Sequence, residues 1–275
     1  MPSWIHRAML AAAALTAVAA LAQQGQAAQA PNDGLRRDGE GVPETQWEPT
    51  KPPSDPRDFT GLWEMPRVGV TLRQDDGSFP PFTPLGESEN KRYTDSERAG
   101  NVIADAPTHC YPHGVPRLTT APYPIRFVHT PGLIVMLHEV AHNVRYIHMD
   151  GKPPPADTPK TFLGYSVGHW DGNTLVVETS HLNTETMLDT RIGHGPNLKV
   201  TERWTKIKNP LGNTILRDLI TIDDSERFTR PWTVTRDFAY RADLMNNLWS
   251  EGLVEYSCEE NNRNVPDPNG IVTAK

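Results

Sequence analysis

The chain reads as all-β: an antiparallel barrel or sandwich with a long irregular N-terminal arm and one or two short helices. Three observations predict this. Short runs rich in β-branched and aromatic residues recur beyond Ile125, separated by tight turn signals. The span Gly164 to Leu182 is a hairpin pattern with Asp171-Gly172 at its centre. A good helix signal occurs at Thr83 to Arg98, where Thr83-Pro84 opens a run of alternating charges.

Composition narrows the function classes. With 275 residues and 37% hydrophobic content the chain can bury one sizeable core. Its 27 basic and 34 acidic side chains give a net charge of -7, with no basic run and no aromatic-basic interleaving, so nucleic acid is not an expected partner. A small-molecule ligand or substrate, or a carbohydrate, fits better.

Taken in order, Arg7 precedes an apolar run from Ala8 to Ala22, and Ala-x-Ala sites end at Ala22 and Ala30. The run is shorter than the roughly 20 residues of a bilayer span, so residues 1–30 read as a secretory signal peptide without a transmembrane span, and the mature chain as periplasmic or secreted. Residues 31–58, rich in Pro, Gly and charge, read as a linker or surface arm, and 59–275 as one barrel-like domain. Export would place Cys110 and Cys258 in an oxidising compartment, where a disulfide tying the start of the core to its end is expected.

Phe59 to Met65 opens the core as a short strand, and Pro107 to Pro124, with five prolines, must be extended or turning. In the Gly164 hairpin, Asp-Gly favours a type I′ turn. Pairing about it puts Ser166, Gly168, Trp170, Leu175, Val177, Thr179 and His181 on one face, where small residues opposite large ones suggest room beside the surface. Further strands are expected at Leu198 to Ile207, Thr214 to Ile222, Trp232 to Tyr240 and Leu253 to Cys258, with turns at Asn209-Pro210-Leu211-Gly212 and Asp223-Asp224.

The stretch from Thr130 to Gly151 contains His138-Glu139-Val140-Ala141-His142, formally the H-E-x-x-H pattern of zinc hydrolases. On a helix both imidazoles would share a face and Glu139 could activate a zinc-bound water. Helix punctuation exists in Thr130, Pro131 and Gly151. Against it, Leu-Ile-Val-Met-Leu is a β-compatible run, residues 145–150 alternate, and the β-rich chain downstream offers no helix for a third ligand. Strands without metal are the preferred reading, with zinc at His138 and His142 the alternative.

Several segments carry a resemblance. Cys110-Tyr-Pro-His-Gly-Val-Pro-Arg117, Arg145-Tyr-Ile-His-Met-Asp-Gly151, Gly164 to Thr179, Thr201-Glu-Arg203, Thr229-Arg-Pro-Trp-Thr233 and Tyr256-Ser-Cys-Glu-Glu-Asn-Asn262 are similar to those of a large family of secreted bacterial β-barrel proteins, lipocalin-like in outline. The resemblance spans roughly Phe59 to Asn262 and implies a fold more than an activity. It also implies an acidic residue where Glu139 stands and no required histidine where His138 stands.

Parity then locates charges on apolar strand faces. A hairpin centred near His142 would set Glu139 against Arg145, beside Val135, Leu137, Ile147 and Met149. Glu202 shares a face with Leu198, Val200 and Trp204, and Arg236 with Trp232, Val234 and Phe238. Such groups must pair, bind something or sit in a wet cavity. His194, in the Gly-rich Arg191-Ile-Gly-His-Gly-Pro loop, could close over a barrel mouth as a general acid or base, with Asp189 orienting it.

The sequence carries no G-x-S-x-G elbow, phosphate-binding loop or dinucleotide fingerprint. Three functions stay open. One is an exported enzyme running cofactor-free elimination, isomerisation or hydrolysis on a small, partly apolar molecule. Its catalytic candidates are Glu139, His194 and Asp189, and its binding candidates Arg145, Glu202, Arg236, His181 and Trp170. The second is the zinc metallohydrolase. The third is a periplasmic binding or scaffolding protein whose internal charges are structural.

Overall fold

A computed structural model describes residues 51–65, 72–103, 106–241, 244, 253–258 and 271–273. The expected signal peptide and the first part of the arm lie outside the described residues. The fold is the expected all-β barrel, closed by nine strands. In chain order the elements are β1 (Gly61–Glu64), α1 (Pro84–Arg98), β2 (Asn101–Ile103), α2 (Arg117–Thr120), β3 (Ile125–Thr130), β4 (Leu133–His138), β5 (Val144–His148), β6 (Tyr165–Asp171), β7 (Thr174–Ser180), β8 (Lys199–Lys208), β9 (Thr214–Asp223), β10 (Trp232–Tyr240) and β11 (Ile271–Thr273). Around the barrel they run β1-β10-β9-β8-β7-β6-β5-β4-β3 and back to β1, with β2 and β11 as a separate pair.

One pairing departs from the antiparallel expectation. β5 and β6 are parallel, with Ile147 opposite Ser166. A parallel pair needs a crossover rather than a hairpin, and the proline-rich chain from Gly151 to Gly164 supplies it.

Local chemistry explains most boundaries. Thr83 caps α1 by accepting the Gly86 amide, and Pro84 takes the first helical position, where a missing N–H costs nothing. The β6–β7 turn differs from the type I′ expectation. Asp171 pairs with Thr174, so its loop residues are Gly172 and Asn173, and only Gly172 has positive φ (59°). Glycine first and an ordinary residue second is the II′ pattern. The predicted face survives the change although each pair moves by two residues: Trp170 meets Leu175, Gly168 meets Val177 and Ser166 meets Thr179. The expected room beside it does not: a Cβ on Gly168 would lie 2.6 Å from Met149 Sδ and 2.7 Å from Ile147 Cγ2. His181 has left this face, since its φ of 59° ends the strand alternation.

The expected strand at Leu253 to Cys258 is absent, and those residues are irregular. Their amides turn instead to side chains of the β4–β5 turn. Cys110 and Cys258 form the expected disulfide.

Alternation along the strands fills the barrel in layers. One apolar cluster contains Phe59, Trp63, Phe127, Ile134, Met136, Ile147, Trp204, Leu216 and Phe238. A second contains Val200, Ile220, Ile222, Trp232 and Val234, capped by Leu72, Val115, Leu182, Leu188, Ile192 and Phe228 from the connections, and a small third joins Leu118, Ala121 and Val140. At the first cluster's end, Lys206 Nζ donates to the carbonyls of Pro53 (2.7 Å), Asp55 (2.9 Å) and Asp58, tying residues 53–58 across the strand ends. Trp170 packs there edge-on against Phe59, at 5.5 Å between centroids.

Candidate functional site

Between the two apolar clusters lies a polar layer. Its frame is Arg145 of β5 and Glu202 of β8, which are 1% and 0% exposed. The pair is bidentate: Nη1 donates to Oε1 at 2.9 Å and Nη2 donates to Oε2. Arg145 Nε donates to Ser166 Oγ (3.1 Å), Nη2 also donates to Thr179 Oγ1 (2.8 Å), and Ser166 and Thr179 share a hydrogen bond at 2.9 Å. A planar fork matched to a carboxylate and two hydroxyls is the arrangement in which a buried pair can offset its desolvation.

Arg145 therefore pairs with Glu202 and not, as the sequence suggested, with Glu139. The hairpin is centred between Val140 and Ala141, since Met136 faces Arg145 and Leu137 faces Val144. A 3-10 turn at Val140–His142 makes the connection, with Ala141 and His142 at φ 54° and 47°. Two consecutive non-glycine residues in the left-handed region are uncommon and leave no sequence signal. They shift the register, so that Ile134, Met136 and His138 line the interior rather than Val135 and Leu137.

Asp218 stands next to this pair. It lies on β9 between Leu216 and Ile220, with Trp204 as its neighbour on β8 and Arg236 as its neighbour on β10. It is 0% exposed, and neither carboxylate oxygen has a hydrogen-bond partner. The backbone amide of Arg203 pulls its pKa down, yet makes no well-formed hydrogen bond to either oxygen. Burial first, and the adjacent Glu202 carboxylate second, push the Asp218 carboxyl well above the usual range, with Arg145 and Arg236 opposing. Trp204 Nε1 is likewise buried without an acceptor. Arg236, half-buried, donates from Nη1 to the Thr235 carbonyl at 3.0 Å and feels both Asp75 and Asp218.

The sequence reading missed Asp218, although the signal was that used for Glu202 and Arg236: a charge in step with Leu216, Ile220 and Ile222.

His194 and Asp189 lie elsewhere, in the connection from β7 to β8. His194 Nδ1 donates to the Gly195 carbonyl (3.0 Å), which leaves Nε2 to accept from the Thr186 hydroxyl (3.1 Å). Burial holds its pKa below the ordinary value. His194 does line a cleft of about 460 Å³, shared with Glu89, Tyr93, Glu185, Glu226 and Arg227. Asp189 does not orient it. Asp189 Oδ1 accepts the Arg191 amide (2.7 Å) and Oδ2 the Leu72 amide (3.0 Å), so the carboxyl pins two backbone segments, and burial raises its pKa. His181 Nδ1 lies 2.8 Å from Ser180 Oγ, outside the polar layer.

The H-E-x-x-H residues diverge. His138 ends β4 pointing inward and is buried, with neither ring nitrogen hydrogen-bonded. Glu139 Oε2 accepts the Val254 amide (3.2 Å), and His142 Nε2 accepts the Tyr256 amide (2.9 Å). The helix that would put both imidazoles on one face is replaced by a strand end and a 3-10 turn. Among the described residues no group of three or more His, Cys, Asp or Glu side chains is placed to hold a metal ion, and no helix is long and apolar enough to cross a membrane.

No family model, curated protein or solved structure matches the chain.

Proposed function

We propose that the protein is exported and uses the polar layer of its barrel for cofactor-free acid-base chemistry on a small, partly apolar molecule: an elimination, isomerisation or hydrolysis. The observation that carries this reading is Asp218, a fully buried carboxyl whose oxygens make no well-formed hydrogen bond within the protein. Such a group costs on the order of 1–3 kcal/mol relative to a satisfied one. A strand position in a well-packed barrel would take an apolar residue at no such cost.

A carboxyl kept neutral by an apolar setting is a proton donor at neutral pH. In this scheme Asp218 delivers the proton and, as the carboxylate left behind, takes one back, while Glu202 is held in place by its bidentate contact with Arg145. Arg236 stabilises negative charge as it develops. The apolar clusters on both sides suit a ligand with apolar ends. Export is supported by the signal-peptide pattern, by the Cys110–Cys258 disulfide and by the resemblance to secreted barrels.

The test uses substrates that report proton transfer without the natural one being known. Purified chain is assayed for deuterium uptake alpha to the carbonyl of small ketones and for hydrolysis of small aryl esters. Wild type should accelerate at least one reaction, and Asp218→Asn should lose that acceleration with a melting temperature equal to or above that of wild type. Equal rates in both proteins would reject the reading.

A second reading, a binding or scaffolding protein with structural charges, is favoured by Arg145, whose donors are all engaged, with Glu202, Ser166, Thr179 and Met136 Sδ. On that reading Asp218→Asn changes stability alone.

A further inference from the structure

The polar layer has a second end. Asp218 lies beside Glu202, on the neighbouring strand. At the other partner of the ion pair, on the strand next to Arg145, stands His138. We propose that His138 and His113 form a subsite that receives a neutral hydrogen-bonding group of the bound molecule, an amide or a hydroxyl, rather than an anion or a metal cation. The proposal rests on the small-molecule reading of the barrel and adds the class of ligand.

Three observations carry it. His138 is in step with Ile134 and Met136, so its ring enters the interior, and both ring nitrogens are buried without a partner. A neutral imidazole has one donor and one acceptor, and leaving both unmade is costly in a folded chain. His113, from the proline-rich segment between Cys110 and α2, is half-buried, and its Nδ1 is itself buried and unpartnered. It lies close enough for the two rings to interact electrostatically. On α2, whose Leu118 packs with Val140, the buried Thr119 hydroxyl lacks a partner too.

Charge decides the ligand class. Burial pushes His138 down to about 3 and His113 to about 4, so both rings are neutral under ordinary conditions. The charge of Arg145 is matched by Glu202. An anion would find no free counter-charge here, and a cation would be buried beside a guanidinium. A hydroxyl or primary amide donates and accepts at once, and can satisfy a ring N–H and a ring lone pair together.

The experiment is a titration of the uniformly ¹⁵N-labelled chain, read at the imidazole nitrogens. The probes are propionamide and 1-propanol, with propionate and propylammonium as charged controls. The expected result is a saturable shift of the His138 and His113 nitrogens with a neutral probe and none with the charged ones. His138→Phe should weaken the His113 response roughly tenfold or more while leaving the melting temperature equal or higher. His138→Gln, which keeps a donor and an acceptor, guards against a folding defect and should retain part of the response. No shift with either neutral probe, equal shifts with charged probes, or full binding in His138→Phe would each overturn the proposal. Asp218→Asn is read by the proton-transfer assay and His138→Phe by this titration, so failure here is distinguishable from failure of the acid-base reading.

Discussion

Asp218 and the histidines bend the stability of the molecule with pH in opposite senses. An unfolded Asp carboxyl ionises near 3.8, whereas the folded one holds its proton well above that. Between those values folding takes up a proton, so stability is fully present below about pH 4 and falls as pH rises through the folded pKa. Asp218→Asn should remove that slope. Its advantage over wild type in urea midpoint should grow from pH 4 upward, and parallel curves would mean an ionised Asp218. His138 and His113 have depressed pKa values, so they contribute stability above about 6.5 that is lost as pH falls toward 4 and 3. His138→Phe should flatten the acid limb. Within the ion pair, Arg145→Met or Glu202→Leu alone should cost about 3–5 kcal/mol by orphaning a buried charge, and the double variant far less. Denaturant titration of the three variants measures this. Glu202 and Arg236 were legible from strand parity, because a charge in step with apolar neighbours must point inward. Their partners were not, since Arg145 and Glu202 are 57 residues apart and meet only through barrel closure.

At the scale of elements, the turns decide what parity can tell. The β6–β7 face was readable because Gly172 permits a two-residue loop, and moving that loop along the chain left the facing set intact. The β4–β5 face was not readable. Its turn uses Ala141 and His142 in a conformation that favours glycine, and the altered register exchanged the inward and outward residues of β4. The same turn gives Glu139 and His142 a common task, holding the amides of Val254 and Tyr256. Glu139→Ala and His142→Ala should therefore speed hydrogen exchange at those two amides while protection in β8 and β9 persists. If Glu139→Ala left the Val254 amide as protected as before, the clasp would be refuted. A separate check on the turn is Gly172→Ala, which should cost roughly 1–2 kcal/mol, because a Cβ is strained at that positive φ while nothing crowds the space around it.

At the scale of the whole molecule, the barrel is two apolar clusters with a polar layer between them, held by chain segments at both ends. The Cys110–Cys258 bridge spans 148 residues. Cross-links closing long loops restrict the unfolded ensemble most, so reduction should lower stability by about 2–5 kcal/mol. Repeated short strands and turn spacing left a barrel or a sandwich open and only the resemblance to secreted barrels favoured closure, whereas the parallel β5–β6 junction depends on a crossover without a local signature. The central claim, that this interior keeps a buried carboxyl neutral for proton transfer, is tested most directly by the ¹³Cγ resonance of Asp218 at pH 7 in the oxidised chain, assigned by its loss in Asp218→Asn. The account predicts the chemical shift of a protonated carboxylic acid, moving to that of a carboxylate only at higher pH. A carboxylate shift at pH 7 would contradict it.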